Sequence, residues 1–126
     1  MITILTAFSG ISVDDSAKAK DFYSHVLGLG LDTDHMGLRY KLPGGGIFFI
    51  YEKKNHMPAT YTALNFVVSD IDAEVADLKS KGITFEIYEG MNQDPMGIAR
   101  GKAANKGPDI AWFKDPAGNI LSLIQN

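Results

Sequence analysis

Two stretches of this chain repeat each other, and the repeat restricts the available folds more than any other feature. Residues 10–32, "GISVDDSAKAKDFYSHVLGLGLD", match residues 64–86, "LNFVVSDIDAEVADLKSKGITFE", in pattern if not in letter. Each opens on an alternating apolar run, Ile11/Val13 in one and Phe66/Val68 in the other. Each run ends at an aspartate, Asp15 or Asp70, and passes into about a dozen residues of helical period. The aspartates, with Asp14, Ser16 and Ser69 beside them, suit the unpaired N–H groups of a helix start. Phe22, Tyr23, Val26 and Leu27 form one apolar stripe, and Ile71, Val75 and Leu78 form the other. Gly28 and Gly82 stand where a helix ends in a left-handed residue.

Three strand-like runs follow each helix. They cover residues 29–33, 37–42 and 46–53 in the first half, and 83–88, 109–114 and 118–125 in the second. The turns "DTDHMG", "PGGG" and "DPAGN" separate them with the residues that turns require. The expected plan is βαβββ twice, an α+β fold of two sheets, each backed by a helix. Residues 1–53 make the first module, 54–60 a linker and 61–126 the second, within a single domain of 126 residues. Residues 88–109, "YEGMNQDPMGIARGKAANKGPD", have no period and carry four glycines and two prolines. A connection of that length suggests either the edge or lid of a pocket or a plain surface loop.

Composition excludes several classes of function. A formal charge of −3 with scattered Lys and Arg argues against nucleic-acid binding. The absence of cysteine removes disulfides, thiolate catalysis and sulfur-rich metal sites. The apolar "MITILTAF" start is too short for a membrane span and lacks the basic flank of a signal sequence, so a cytoplasmic protein is expected.

The tandem modules, the helix entry "SVDDSAKAKDFY", the run "NFVVSDIDAEVADLKSKG" and the closing "AWFKDPAGNILSLIQ" resemble the vicinal oxygen chelate superfamily over essentially the whole chain. That group includes glyoxalases, bleomycin-resistance proteins and extradiol dioxygenases. The resemblance implies the glyoxalase/bleomycin-resistance fold, in which curved sheets form a cup, and commonly a homodimer. It also implies four metal-binding positions in the catalytic members: a His or Gln on the opening strand, a matching His in the second module, and a Glu on the last strand of each. Carried over one position at a time, these fall on Phe8, Ala63, Phe49 and Ser122. Zn²⁺ or Fe²⁺ sites need about three protein ligands from His, Cys or carboxylate, and none of these four residues qualifies. A register slip of one residue would turn the side chains to the opposite face. The chain is therefore expected to have no metal and no cofactor, and to be closest in type to the metal-free bleomycin-resistance-like members.

No other arrangement replaces the lost chelate. His25, His35 and His56 show no ligand spacing, and Asp32, Asp34 and His35 form a hairpin cluster whose residue types also suit a turn. Ser122 lacks a neighbouring His, and Glu52, Glu86 and Glu89 are undistinguished candidates for a general base. Strand alternation places Phe8, Phe49, Tyr51, Tyr61, Asn65 and Ser122 towards the cup, and Arg39 and Lys41 into the cup or at its rim. Periodicity alone does not divide Trp112 from Phe113, of which Trp112 is the expected cup residue. Met91 and Met96 from the long loop could close it with adaptable thioether surface. The candidate ligand-binding residues are Phe8, Arg39, Phe49, Tyr51, Tyr61, Asn65, Met96, Trp112 and Ser122. They describe either a pocket for a small aromatic or amphipathic molecule or a cup filled by its own side chains. The expected function is metal-independent binding. The alternative is a lyase, isomerase or dioxygenase that holds a metal through non-standard ligands.

Overall fold

The computed structural model describes every residue from Met1 to Asn126. The chain forms two compact units, Met1–Pro58 and Ala59–Asn126.

In the first unit, β1 (Ser9–Val13) leads into α1 (Ser16–Asp21), and β2 (Gly30–Thr33), β3 (Leu38–Lys41) and β4 (Ile47–Glu52) follow. The sheet order is β1-β4-β3-β2, with β1 parallel to β4 and the other pairs antiparallel. Asp15 caps α1 by accepting from the Lys18 N–H at 3.1 Å, as its position before the apolar stripe suggests. The helix does not stay regular. Phe22–Val26 form a π-turn, closed by the Leu27 N–H on the Phe22 carbonyl at 3.0 Å. This i→i+5 closure widens the turn and lets two adjacent aromatics, Phe22 and Tyr23, both reach the interior. Tyr23 packs on Tyr40 and Phe48, with ring centroids 6.0 and 6.1 Å apart. Val13, Leu38 and Ile50 complete this buried face. Gly28 then ends the helical segment at φ 73°, where a side chain would be strained.

The second unit repeats the plan with β5 (Thr62–Val67), α2 (Ile71–Ser80), β6 (Ala99–Arg100), β7 (Asp109–Lys114) and β8 (Ile120–Gln125). The order is β5-β8-β7-β6, again with one parallel pair, β5 with β8. Asp70 caps α2 through the Ala73 N–H, and the Gln125 side chain accepts from the Ile71 N–H at 2.9 Å. Ile71, Val75 and Leu78 are buried, as are Ala111, Phe113, Leu121 and Leu123 of the sheet. Asp115 closes the "DPAGN" turn by accepting from the N–H groups of Ala117 and Asn119, both at 2.9 Å.

One expected strand is not formed. Residues 83–88 contribute only an isolated bridge, Phe85 with Phe113, and a bond from the Glu86 N–H to the Trp112 carbonyl. The other half of the β7 edge pairs instead with Ala99–Arg100 from the long connection. The reason is local polar chemistry. Gln93 Nε2 donates to the carbonyls of Glu86 and Gly97, while its Oε1 accepts from the Tyr88 N–H. Those backbone groups are satisfied without a ladder, so residues 88–98 fold back as a loop and deliver β6 to the sheet edge. The connection is thus anchored to the sheet edge, and Gly90, Met91 and Asn92 within it line a cavity, as the edge of a pocket would.

Candidate functional site

Each sheet has one face against its helix and a second face turned away from it, and the candidate residues divide along this alternation. In the first unit the outward row runs Gly10–Phe49–Arg39–Thr33 across the four strands. Phe8, just before β1, meets Phe49 edge-on with centroids 6.3 Å apart. Tyr51, two residues along β4, lies nearly parallel to Phe49 at 6.1 Å and is exposed. Phe8, Phe49, Ile47, Thr33, His35, Met36 and Arg39 line a cavity of about 370 Å³.

The Phe49 ring is seated by a glycine. A Cβ on Gly37 would lie 2.4 Å from Cζ of Phe49, and Gly37 has φ 125°. The 34–37 hairpin therefore serves as a slot for the ring, and only a residue without a side chain permits the approach. Met36 beside it also takes a left-handed conformation, φ 61°.

The hairpin acids are committed elsewhere. Asp32 meets Arg39 Nε at 3.1 Å and Lys41 Nζ at 3.4 Å. Asp34 pairs with Lys20 at 2.9 Å, and that hydrogen bond holds the Asp34 carboxyl below its ordinary range. The cluster Asp32, Asp34 and His35 does not converge, and no group of three or more His, Asp or Glu side chains in the chain is arranged to hold a metal ion. Of the candidate bases, Glu52 accepts from the Ser16 N–H and Glu86 pairs with Lys114 at 3.2 Å.

In the second unit the outward row is Asn65–Ser122–Trp112. Ser122 is fully buried and donates to Asn65 Oδ1 at 2.5 Å. The lone hydroxyl of the closing strand therefore pins β8 to β5 and is not an open contact. Trp112 stands on this outward face, whereas Phe113 turns inward to Phe85. Tyr88 packs edge-on to Trp112 at 5.5 Å, and its buried hydroxyl has no hydrogen-bond partner. Burial, with the charge of Glu86, raises the Tyr88 phenol above its usual pKa. Two cavities flank Trp112. One, of about 270 Å³, is lined by Tyr61, Thr62, Tyr88, Glu89, Met91 and Ile120 among others. The second, of about 290 Å³, lies against Ile110 and the long connection.

That connection is held by Arg100. Its guanidinium donates to both oxygens of Asp72 and, through Nε, to Asp94 at 2.9 Å, with Asp109 3.6 Å away. The Asp72 hydrogen bond, followed by that of Asp94, raises the Arg100 pKa against the cost of burial. Met91 lines both second-unit cavities, while Met96 lines neither and sits half-buried in the Asp94–Gly97 turn.

The four positions where the resemblance puts metal-binding side chains hold groups that do not fit a divalent cation. Phe8 and Phe49 wall a cavity, Ala63 lies at the irregular start of β5, and the Ser122 hydroxyl is engaged with Asn65. Alternation pointed Phe8 and Phe49 to the face they take, and left Trp112 and Phe113 undivided until the β7–β8 register set Trp112 opposite Ser122. Thr33, Met36, Gly37 and Tyr88 were not legible as candidates. No local signal marked them: Gly37, for one, meets the Phe49 ring only through the register of β3 against β4.

Solved structures share this architecture. An antibiotic-binding protein, TnmS3, from Streptomyces sp. CB03234 is 25% identical, with 98% of each chain covered and a TM-score of 0.68. A glyoxalase/bleomycin resistance protein from the same organism is 26% identical, covering 94% of this chain and all of the other, with a TM-score of 0.63. A lactoylglutathione lyase from Agrobacterium tumefaciens shares the fold at 18% identity, covering 98% and 95% with a TM-score of 0.68. Comparison with curated protein sequences gives no match. Residues 4–123 match the model of one family, so the chain belongs to the Glyoxalase/Bleomycin resistance protein/Dioxygenase superfamily.

Proposed function

We propose that this chain is a metal-independent binding protein that holds a small aromatic or amphipathic molecule on the sheet faces turned away from the helices. One observation carries the proposal: where the resemblance implies metal ligands, Phe8 and Phe49 instead form the wall of a cavity. The cavity volume of about 370 Å³ lies in the range of small-molecule sites, about 300–1,000 Å³. Trp112 with Tyr61 and Tyr88 supplies similar aromatic surface in the second unit. The likeness to an antibiotic-binding protein at 25% identity supports the same reading.

The protein is further proposed to be cytoplasmic and to act as a homodimer; no helix is long and apolar enough to cross a membrane. Support for the dimer comes from the exposed apolar side chains of Met1, Ile2, Ile4 and Leu5, which a second copy would cover. Sedimentation of the protein and of an Ile4→Asp/Leu5→Asp variant tests this, with a monomer expected only for the variant.

Thermal-shift screening with neutral and charged aromatics, followed by calorimetric titration, tests the binding. A ligand whose affinity falls in Phe49→Ala is the expected result. Stoichiometric metal in protein purified without chelator, with binding that requires it, would overturn the metal-independent reading.

A further inference from the structure

We infer that the first-unit cavity selects for negative charge, and that its ligand is a planar aromatic molecule bearing one carboxylate or similarly forked anion. This rests on the aromatic-binding proposal above and narrows it. Arg39 is the only residue with a permanent charge among those lining the cavity, and no carboxylate lines it. Asp32, the nearest acid in contact, meets both Arg39 and Lys41. One negative charge facing two positive ones leaves this part of the sheet net positive.

The contact with Asp32 is through Arg39 Nε. That leaves the two Nη groups of the guanidinium with no protein partner, and they form the planar fork that matches a carboxylate. The ion pair with Asp32 also restrains the guanidinium, so less freedom is lost when a ligand binds. Arg39 and Phe49 are direct cross-strand partners. Side chains in that relation start about 5 Å apart. One molecule can therefore lay its ring on Phe49 and reach the fork with a carboxylate attached to that ring. The ring position is itself preset, since Phe49 is seated over Gly37 and meets Phe8 edge-on. A cationic ligand finds no acid in the cavity to answer its charge, and a neutral one forgoes charge-assisted bonds.

Three matched probes test the inference by calorimetry on the intact protein: 2-naphthoate, 2-naphthamide and 2-naphthylmethylammonium. Naphthoate is expected to bind about tenfold more tightly than either of the others, the scale set by one hydrogen-bonded ion pair. Arg39→Gln should bring naphthoate down to the affinity of the amide. Lys41→Gln removes one positive charge from the same strand but outside the cavity, and should keep the preference. If the amide or the ammonium binds as well as naphthoate, the charge selectivity is refuted and aromatic binding stands. A preference that survives Arg39→Gln also overturns the inference, because the anion is then read elsewhere. Absence of binding by all three probes overturns both the inference and the proposal beneath it.

Discussion

Replacing Gly37 by alanine tests whether the hairpin seats the Phe49 ring. Two separate costs are expected. The first is backbone strain, because φ is 125°; an L-residue held in such a region costs about 1–3 kcal/mol. The second is steric, because the new Cβ would stand 2.4 Å from Cζ and 2.8 Å from Cε1 of Phe49. Forcing a methyl group into packed surroundings costs about 1–3 kcal/mol. Gly44 provides the control, with φ 93° and nothing within 4 Å of its would-be Cβ. Gly44→Ala therefore carries the backbone cost alone, and the difference between the two variants reports the steric cost. In that cost the ring contacts at 2.4 and 2.8 Å outweigh the 3.2 Å approach to the Ile50 carbonyl oxygen. Urea unfolding followed by far-UV circular dichroism should place Gly37→Ala about 1–3 kcal/mol below Gly44→Ala. In a Phe49→Ala background most of the difference should disappear, since the obstructing ring is gone and only the 3.2 Å approach to the Ile50 carbonyl oxygen is left. Equal losses in the two single variants, within about 0.5 kcal/mol, would refute the seating of the ring. The preorganisation invoked for ligand binding would fall with it.

Other outcomes follow from single contacts. Ser122→Ala should cost about 1 kcal/mol in urea, the worth of one ordinary hydrogen bond, because the exposed Asn65 can turn to water. Ser122→Glu, although it restores the family's carboxylate, should lose several kcal/mol by burying an unpaired charge and should bind no zinc in a dialysis assay. Tyr88→Phe removes a buried hydroxyl that has no partner, so its urea midpoint should equal or exceed that of the wild type. Burial raises the Asp94 pKa, but the Ile98 N–H, the Arg100 guanidinium and the Met96 N–H outweigh it and leave the carboxyl below its usual value. A group lowered in this way stabilises the fold above its unfolded pKa of about 4 and loses that contribution as pH falls through the folded value. Asp94→Asn should therefore be less stable than the wild type at neutral pH, with the gap between their urea midpoints closing under acid.

The sequence by itself determined the two modules, their helices and the inward stripes, because these depend on interactions a few residues apart. Asp15 and Asp70 cap their helices with N–H groups three positions on, and Ile71, Val75 and Leu78 share a face through helical period. Alternation also put Phe49 on the face turned away from the helix, since a strand repeats every two residues, whereas the choice between Trp112 and Phe113 waited for the β7–β8 register. Only the tertiary structure decided what those faces became. The β7 edge is shared between Phe85 and Ala99–Arg100 because Gln93 satisfies backbone groups that a longer strand would have used. Ser122 is closed off because Asn65, 57 residues earlier in the chain, meets its hydroxyl. The slot for Phe49 likewise depends on the register of β3 against β4, which brings Gly37 beneath a ring twelve residues away. Local pattern encodes which way a side chain points. What it meets there depends on strand register and long-range pairing, and no short window of sequence contains either.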